Sequence, residues 1–575
     1  MAKRGIVELE TDVLVLGGGF AGLWAAIGAS DTAERVLLVD KAKVTKSGCS
    51  SFLAGVTLAC FPDDDQDVWL REMVEGSDYL LDQEWVKQYL TESYERVVDL
   101  DRWAQEYNIS VFEKDAEGQF MRKRSRAHIS TYHIVVNAQP YMQVLKRRAV
   151  QRGVKIVDRV MAFDLVIDDG KVAGALGFNY RTGEFYLLKA RTVILAAGGA
   201  TFKGIFIGHK NLTGDMVAAA FRLGAPLKAM EQSTSNTCAV EYDIHGMNLM
   251  VNIGGQFVNA QGERFMRKYE PKLGNRAKTP ALLRGICLEI MAGRAPIYLD
   301  ATSATPEDRA LCRKILPETF KIYDQIGYSP LDRPFPWGPA PYGYIGSGGG
   351  LAIDARCETS IPGLYAAGDA AFRACAVAGG PSGKASGFAI VSGYRAGRHA
   401  AQYAQNAQPG DWTRLGVRQT IPAQIDAFLA PLLRTKGVCA DDVILRLQET
   451  LFNCPTYYIR SGPRLQAALG TVLELKEERV PALRARDYHD LVKANEAKNL
   501  VLIAEALLRS ALYRQESRGW HYREDFPRID NRDWLKHVLV RLEDGNMRLF
   551  TEDISTPYIR PTEEYSIPMG SVRKE

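Results

Sequence analysis

Short apolar runs that end in glycine or in an acidic residue mark the first part of the chain. Thr11–Leu16 is followed by three consecutive glycines, Leu23–Ala29 is rich in alanine, and Arg35–Asp40 ends in an acid. Continuous apolar runs of this length are typical of strands buried on both faces of a parallel sheet. The pattern therefore predicts a strand, a helix and a second parallel strand.

Two later apolar runs are expected to join the same sheet. Thr192–Gly199 and Gly363–Asp369 both end in small residues, which leave room for a ligand. Ligands of open α/β sheets bind outside the carboxyl ends of the strands. Asp369, at the end of its run, is therefore expected on the ligand side, although ordinary sheet packing also explains either run.

The pattern changes twice farther along the chain. Residues from about 231 to 340 are richer in Pro, Arg and Met, with short strand-like pieces at Met250–Asn252 and Gln256–Asn259. From about residue 406, apolar residues recur at helical spacing, most clearly in Val443–Phe452 and Asp487–Tyr513. The sequence thus indicates an insertion followed by a helical region.

The predicted fold class is α/β, with a Rossmann-like dinucleotide-binding domain, an inserted α+β capping domain and a C-terminal helical domain. The capping domain is expected to close over the ligand and exclude water. The stretch Leu549–Glu575 has little periodicity and is expected to be extended over a neighbour or partly disordered. The expected boundaries are 1–230 and 341–405 for the first domain, 231–340 for the cap and 406–575 for the helical domain with its tail.

Composition and charge exclude several classes of protein. A chain of 575 residues is too long for one core, and 46% hydrophobic with 24% charged residues is ordinary for a globular protein. The net charge of +4 gives no argument for nucleic acid. The basic stretch Arg122–Arg126 is either a solvated loop or a docking patch for an acidic partner or an anionic substrate.

The nine cysteines are scattered without a C-x-x-C pair, so no metal site or iron–sulfur cluster is expected within this chain. The first residues lack the apolar stretch of a signal peptide, and no apolar run reaches membrane-spanning length. We therefore expect a reduced, cytoplasmic setting.

The glycine run after the first strand carries specific chemistry. Gly17, Gly19 and Gly22 form G-x-G-x-x-G, and Asp40 follows about 20 residues later. In this motif the first glycine allows a tight turn, the second lets the backbone approach a pyrophosphate, and the third lets helix and strand pack closely. Asp40 is placed to accept hydrogen bonds from a ribose, so the motif predicts dinucleotide binding.

Taken together, these features resemble the flavoprotein family of succinate dehydrogenase, fumarate reductase, L-aspartate oxidase and the adenylylsulfate reductase α subunit. The resemblance covers nearly the whole chain and implies FAD as the cofactor. Its most specific marker is Arg514–Asp525, which is similar to the family's R-x-E-S-R-G-x-H-x-R-x-D run. The other markers are the glycine motif, Leu212–Met216, Gly224–Pro226, Gly262–Met266 and Thr359–Asp369.

The resemblance also implies the residues that bind FAD. They are Gly17, Gly19, Phe20, Ala21, Gly22, Asp40, Lys41, Ser47, Gly48, Gly55, Ala197, Gly198, Gly199, Asp215, Gly368, Asp369, Ser382, Gly383, Ala385 and Ser386.

Several positions depart from the family pattern. Gly48 stands where the succinate and fumarate enzymes carry the histidine bonded to the flavin, so FAD is expected to bind without a covalent link. The neighbouring Cys49 is either a packed cysteine or a thioether or redox thiol. Asn236 replaces a substrate histidine of the family. Thr279 falls near the position of the family's shuttle arginine, and of the run around that arginine only the later Arg284 is retained. Succinate or fumarate is therefore not the expected substrate.

The run Ser47–Gly48 and the segment Asn137–Tyr141 are similar to the adenylylsulfate reductase branch, although that branch's substrate arginine and Gly-Ser-His are absent. The resemblance implies an oxidoreductase that moves electrons between a small substrate and a separate ferredoxin-like iron–sulfur subunit. Two alternatives stay open: an oxygen-using oxidase resembling L-aspartate oxidase, and a flavin scaffold without catalysis.

A substrate shell follows from the positions that the family uses. We expect Arg284, Tyr344 and Lys384 as catalytic residues and Asn137, Gln139 and Asn236 as substrate-binding residues. Each has an ordinary structural alternative, such as a helix-surface ion pair for Arg284 or core packing for Tyr342 and Tyr344. The histidines at 128, 133 and 521 are expected to be structural.

Overall fold

The computed structural model describes residues 5–52, 55–125, 128, 130–204, 208–240, 242, 244, 247–339, 346–347, 349–378 and 380–568. The helices are α1 (Phe20–Ala29), α2 (Gln66–Gly76), α3 (Gln83–Glu106), α4 (Ala138–Gln151), α5 (Asp215–Arg222), α6 (Met247–Asn252), α7 (Met266–Tyr269), α8 (Thr279–Met291), α9 (Pro306–Ile315), α10 (Pro317–Ile326), α11 (Lys384–Asn406), α12 (Leu415–Leu433), α13 (Ala440–Leu451), α14 (Gly462–Glu474) and α15 (Tyr488–Tyr513).

The strands are β1 (Ile6–Leu16), β2 (Val36–Asp40), β3 (Val56–Leu58), β4 (Arg122–Arg124), β5 (Tyr132–Val135), β6 (Lys155–Asp158), β7 (Val160–Asp168), β8 (Lys171–Asn179), β9 (Phe185–Leu195), β10 (Leu227–Lys228), β11 (Ser233–Thr234), β12 (Thr237–Ala239), β13 (Gln256–Val258), β14 (Tyr298–Asp300), β15 (Phe335–Pro339), β16 (Gly346–Ser347), β17 (Gly350–Leu351), β18 (Leu364–Ala366), β19 (Ile529–Asp530), β20 (Lys536–Glu543), β21 (Asn546–Asp553) and β22 (Tyr565–Ser566).

A seven-stranded sheet organises the first domain, in the order β6-β2-β1-β9-β8-β7 with β18 also paired to β9. The pairs β1–β2, β1–β9 and β9–β18 are parallel. The apolar runs ending near Leu16, Asp40, Leu195 and Ala366 all lie in this sheet, as their pattern predicts. Their carboxyl ends therefore meet at one edge.

Helices α1 and α11 pack directly against each other beside this sheet. A Cβ added at Gly393 would lie 2.4 Å from the carbonyl oxygen of Ala21, and one at Gly397 would lie 2.1 Å from that of Ala25. Real side chains do not tolerate such distances, so the two helices approach this closely because α11 carries glycine at these positions. The packing brings the first turns of α1 and α11 to the same edge of the sheet.

The inserted region has its own apolar cluster, formed by buried residues between Ala239 and Trp337. The sheet β12-β15-β14-β13 belongs to this region. Gln256–Val258 is a strand as expected, whereas Met250–Asn252, expected to be strand-like, lies in α6. Three residues are too few to separate a period of 2 from one of 3.6, which accounts for the error.

The C-terminal region is helical from α12 to α15, as predicted, and then returns to strands. The hairpin β20–β21 pairs with β10 of the first domain, with Leu227 opposite Val540. Leu549–Asp553, expected to be irregular or extended, completes β21. None of the described helices combines the length and the apolar character that crossing a bilayer requires.

Candidate active site

A cavity of about 400 Å³ lies where the parallel strands end, a size typical of sites for cofactors and small molecules. It runs between the first turn of α1, the first turn of α11 and the start of the inserted region. Of the residues expected to bind FAD, it is lined by Gly17, Gly19, Phe20, Ala21, Asp40, Lys41, Ser47, Gly48, Ala197, Gly198, Asp215, Gly368, Asp369, Ser382, Gly383, Ala385 and Ser386.

The glycine motif forms a cradle that side chains would fill. A Cβ at Gly22 would stand 1.7 Å from the carbonyl oxygen of Gly17, so Gly22 packs the helix on the turn rather than lining the cavity. Asp40 accepts hydrogen bonds from the N–H groups of Gly18 and Ala42, both at 2.7 Å. Burial raises the pKa of Asp40, an effect that these two donors oppose. Two carboxylate oxygens fixed in this way suit a ribose.

The first turn of α11 faces the same cavity. Gly383 precedes the helix with φ of 82°, and a Cβ there would lie 2.7 Å from the backbone of Thr57 in β3. Ser386 Oγ donates to the carbonyl oxygen of Gly383 at 2.8 Å and lies 3.1 Å from Thr57 Oγ1. The helix N-terminus thereby presents N–H groups and a partial positive charge to the cavity.

Lys41 closes the nucleotide end through an ion cluster. Its Nζ donates to Asp215 at 2.9 Å, to Glu496 at 2.7 Å and to Thr213 Oγ1 at 2.7 Å. Burial opposes the charge, but the two carboxylates outweigh it and raise the pKa of Lys41. Because Glu496 lies on α15, the cluster joins the C-terminal region to the sheet.

The opposite end of the cavity is rich in positive charge. Arg373, only 3% exposed, donates from Nη2 to Thr234 Oγ1 at 3.2 Å, and its Nε lies 3.7 Å from Asp369 Oδ1. Lys384 donates to the carbonyl oxygen of Ala378, and Lys278 donates to that of Gly76 at 3.0 Å. Burial lowers the pKa of both lysines. This end suits an anion.

The Arg514–Asp525 motif supplies one wall of the cavity. Trp520 lines it, and its backbone N–H donates to Gln232 Oε1 at 3.0 Å. The backbone N–H of Gly519 donates to Asp78 Oδ2 at 2.9 Å. His521 is fully buried, with Nδ1 2.6 Å from Arg460 Nη1. The motif therefore shapes the site through its backbone turn.

Cys49 and His209 lie side by side in the cavity wall, with Sγ 3.1 Å from Nε2. Burial, together with the carboxylate of Asp369, raises the pKa of the Cys49 thiol well above its usual range. A protonated thiol is a poor nucleophile, so this pair lacks the electrostatics of a reactive cysteine.

The structure brings together only part of the expected substrate shell. Asn236 and Lys384 line the cavity. Asn137 donates instead to Glu113 at the surface, and Gln139 donates to the carbonyl oxygen of Ser51. Arg284 is buried on α8 with its guanidinium 5.1 Å from the ring of Tyr522, outside the cavity lining.

Three further expected residues lie elsewhere. Tyr344 falls outside the described residues. Gly55 is not among the lining residues, and Gly199 borders a smaller pocket beside Asp369.

Among the lining residues that sequence reasoning did not assign to the site are Lys278, His209, Arg373 and Trp520. Arg373 follows Asp369 by four residues, so a search for cations close after that strand would have found it. Lys278 directly precedes the position where relatives carry an arginine. No local signal distinguishes His209.

The histidines beside the basic stretch are buried, and one of them makes stability depend on pH. Burial and the charge of Lys123 lower the pKa of His133 from 6.5 to about 4. Because the unfolded chain then binds the proton more readily, the contribution of His133 to stability is constant above pH 6.5 and falls as the pH drops toward 4. Urea unfolding should show a loss of up to about 3 kcal/mol over this range that the variant His133→Gln lacks. Equal pH dependence in the two proteins would contradict this origin.

Comparison with known proteins identifies the kind of cofactor. Residues 12–385 match the family described as FAD binding domain, and residues 446–566 match the family described as fumarate reductase flavoprotein C-term. A fumarate reductase (CoM/CoB) subunit of Methanothermobacter marburgensis is 28% identical, over 92% of this chain and 97% of that protein. The fumarate reductase flavoprotein subunit of Mycobacterium tuberculosis is 29% identical, over 94% of this chain and 96% of its own.

Solved structures share the fold. A mutant of Escherichia coli quinol fumarate reductase superposes with a TM-score of 0.87 at 23% identity, covering 97% of this chain and 99% of that one. Adenylylsulfate reductase from Archaeoglobus fulgidus superposes with a TM-score of 0.80 at 22% identity, covering 98% of each chain. The glycine cradle, the fixed Asp40 carboxylate and the matched domains agree on one cofactor. The chain belongs to the family of FAD-dependent oxidoreductases that includes the fumarate reductase and succinate dehydrogenase flavoproteins.

Proposed function

We propose that this chain is the FAD-bearing subunit of a dehydrogenase or reductase that moves electrons between a small organic substrate and a separate iron–sulfur protein. One observation carries the proposal: a single cavity joins a dinucleotide cradle to an end formed by the inserted region and rich in positive charge. FAD supplies two-electron chemistry when it is bound, by exchanging a hydride with a substrate held against its ring system. A cavity with both ends accommodates cofactor and substrate together.

The chain's own residues have separate tasks at the two ends. Gly17 and Gly19 let the backbone approach the pyrophosphate, and Asp40 binds the ribose. The first turn of α11, from Lys384, stabilises negative charge that develops on the ring system. Asn236 lines the substrate end, which residues 231–340 cover as an inserted cap that excludes water.

We further propose that FAD is held without a covalent bond. Gly48 has no side chain that could be linked to the cofactor. A Cβ added there would meet no atom within 4 Å. The nearby Cys49 keeps its proton because its pKa is raised, and His209 is engaged with its thiol. Acid precipitation should therefore release all the FAD, from the wild type and from the variant Cys49→Ala alike. Flavin retained in the wild-type pellet but released from Cys49→Ala would identify a thioether.

Two features support a partner protein. The curated relatives are named as subunits, which is the description of proteins that work in complexes. On the surface, Lys123 and Arg124 are exposed on β4, whereas Arg122 is paired with Asp64. The exposed pair is a candidate docking patch for an acidic ferredoxin-like subunit in a cytoplasmic complex.

The deciding experiment is purification of the protein with its native partners, followed by visible spectra and iron analysis of every co-purifying chain. We expect FAD together with a small iron-bearing subunit, with slow reoxidation of the reduced flavin by air. Full turnover with oxygen and peroxide release, without any iron-bearing chain, would identify an oxidase instead. A flavin that no substrate reduces or reoxidises, in an intact complex, would identify a scaffold.

A further inference from the structure

The substrate end of the cavity holds three cations from three separate segments. Arg373 follows β18, Lys384 begins α11 and Lys278 directly precedes α8. Their charges act on one another, because Arg373 and Lys278 both contribute to the lowered pKa of Lys384. The three side chains therefore form one basic cluster, which we call the cationic end, in which Arg373 keeps its charge and the lowered pKa of each lysine weakens its hold on the proton.

Among the described residues, the ion pair of this cluster joins Arg373 Nε to Asp369 Oδ1 at 3.7 Å, which is beyond hydrogen-bond distance. Both lysines donate to backbone carbonyls, and Arg373 uses one of its donors on Thr234 Oγ1 at 3.2 Å. Its Nε is buried without a hydrogen-bond partner, 3.7 Å from Asp369. A guanidinium carries five donors, so Arg373 has donors left for a ligand.

Burying a charge is unfavourable unless the charge is paired, and Arg373, which is 3% exposed, cannot avoid this cost by losing its proton. Buried charges are stable when they are paired, and a guanidinium matches the geometry of a carboxylate in particular. Lys384 begins α11, whose first turn lines the cavity, and Arg373 lines the same cavity while hydrogen-bonded to Thr234 of the inserted region.

Apart from Asp369, the rest of the described lining at the substrate end is uncharged. Its lining residues beyond the cationic end and Asp369 are Thr234, Ser235, Asn236, Thr279, Pro280 and Trp520. The described lining contains one further lysine, Lys41, which is held by Asp215 and Glu496 at the nucleotide end. One positive cluster facing neutral polar and aromatic walls fits a molecule with one charged end.

We propose that the substrate is an organic anion with a single carboxylate, held by Arg373 with support from Lys278 and Lys384, whose uncharged remainder lies against Ser235, Asn236 and Trp520. This inference rests on the proposed function, since it names the substrate class of that site. It makes Arg373 the residue that determines specificity, at a position where sequence reasoning expected no cation.

The test measures the binding of four small probes to the FAD-loaded protein with its co-purified partners. Binding is detected by calorimetry and by the change in the flavin absorption band. The probes are crotonate, fumarate, crotonamide and inorganic sulfate. Crotonate and fumarate should bind within about threefold of each other, and crotonamide at least about tenfold more weakly, because hydrogen bonds to charged groups contribute about 1.5–3 kcal/mol. Arg373→Met should weaken crotonate binding by about tenfold to a hundredfold.

Arg414→Met is the matched control, since it removes one positive charge from a surface pair with Asp168 and leaves the cavity untouched. Its affinity for crotonate should equal that of the wild type. If Arg373→Met fails to fold, Arg373→Lys and Thr234→Val replace it, and both should weaken crotonate binding without changing the far-UV circular dichroism.

Three kinds of result overturn the proposal. Fumarate binding at least tenfold tighter than crotonate would indicate two charged ends. Equal crotonate affinity in Arg373→Met and the wild type would remove Arg373 from the site, and binding of sulfate alone or of no probe would exclude a carboxylate site. A protein without FAD that still binds crotonate in calorimetry would refute the proposed function and leave the anion site standing.

Discussion

Replacing Gly19 with valine is expected to give a folded protein that carries no FAD. Gly19 precedes α1 with φ of −78° and ψ of −167°, an extended conformation that valine adopts readily. A Cβ there would meet only Ser50, at 3.0 Å from its Oγ, so the new side chain extends into the cavity where the pyrophosphate must pass. The clash should cost about 3 kcal/mol of binding free energy, or about a hundredfold in FAD affinity.

The measurement is the flavin content of the purified variant, with its melting temperature compared with that of wild-type protein stripped of FAD. Gly416→Ala serves as control, because a Cβ at Gly416 meets nothing within 4 Å and the position lies far from the cavity lining. It should purify yellow. A yellow Gly19→Val protein with one FAD per chain would place the cofactor elsewhere.

Replacing Arg514 with methionine is expected to destabilise the protein by about 3–5 kcal/mol, the usual result of leaving a buried charge without its partner. Arg514 is fully buried and donates to Glu231 at 2.8 Å and to Glu516 at 2.6 Å. Arg518 also donates to Glu516, but Glu231 loses its only ion pair among the described residues. The free energy of unfolding by urea measures the effect.

Arg548→Met is the control for this change. Arg548 is 69% exposed and pairs with Glu543 at 3.5 Å, so its removal should cost less than about 1 kcal/mol. A loss of similar size in both variants would mean that the buried network does not hold the C-terminal motif in place.

The cradle residues could be predicted from sequence, whereas the opposite end of the cavity could be predicted only in part, through Asn236 and Lys384. Gly17, Gly19 and Asp40 act through backbone geometry that a local motif encodes, so their spacing alone places them. Arg373 and Trp520 both line the cavity but come from distant parts of the chain, and only the folded structure shows that the motif carrying Trp520 forms part of the same wall. Arg284 shows the opposite error. The family resemblance assigns it to the site, whereas it lies on α8 beside the ring of Tyr522 and outside the cavity lining.

The same limit applies to the fold. Strands ending in glycine and helices with clear periodicity were predictable because burial on one or both faces dictates their pattern. The strands near the C-terminus escaped prediction because most of β21 is exposed or only partly buried, so its side chains carry little alternation. Their position is set by pairing with β10, more than 300 residues earlier in the chain.

The residues of the cavity wall come from most of the chain length, from Leu16 in the first strand to Trp520 near the C-terminus. A ribosome adds about 5–20 residues per second, so the first strand of the cradle waits for tens of seconds before the last wall segment leaves the exit tunnel. The wall around the cavity is thus completed only late in synthesis. Nascent chains stalled before the Arg514–Asp525 motif would expose the half-built pocket to chaperones.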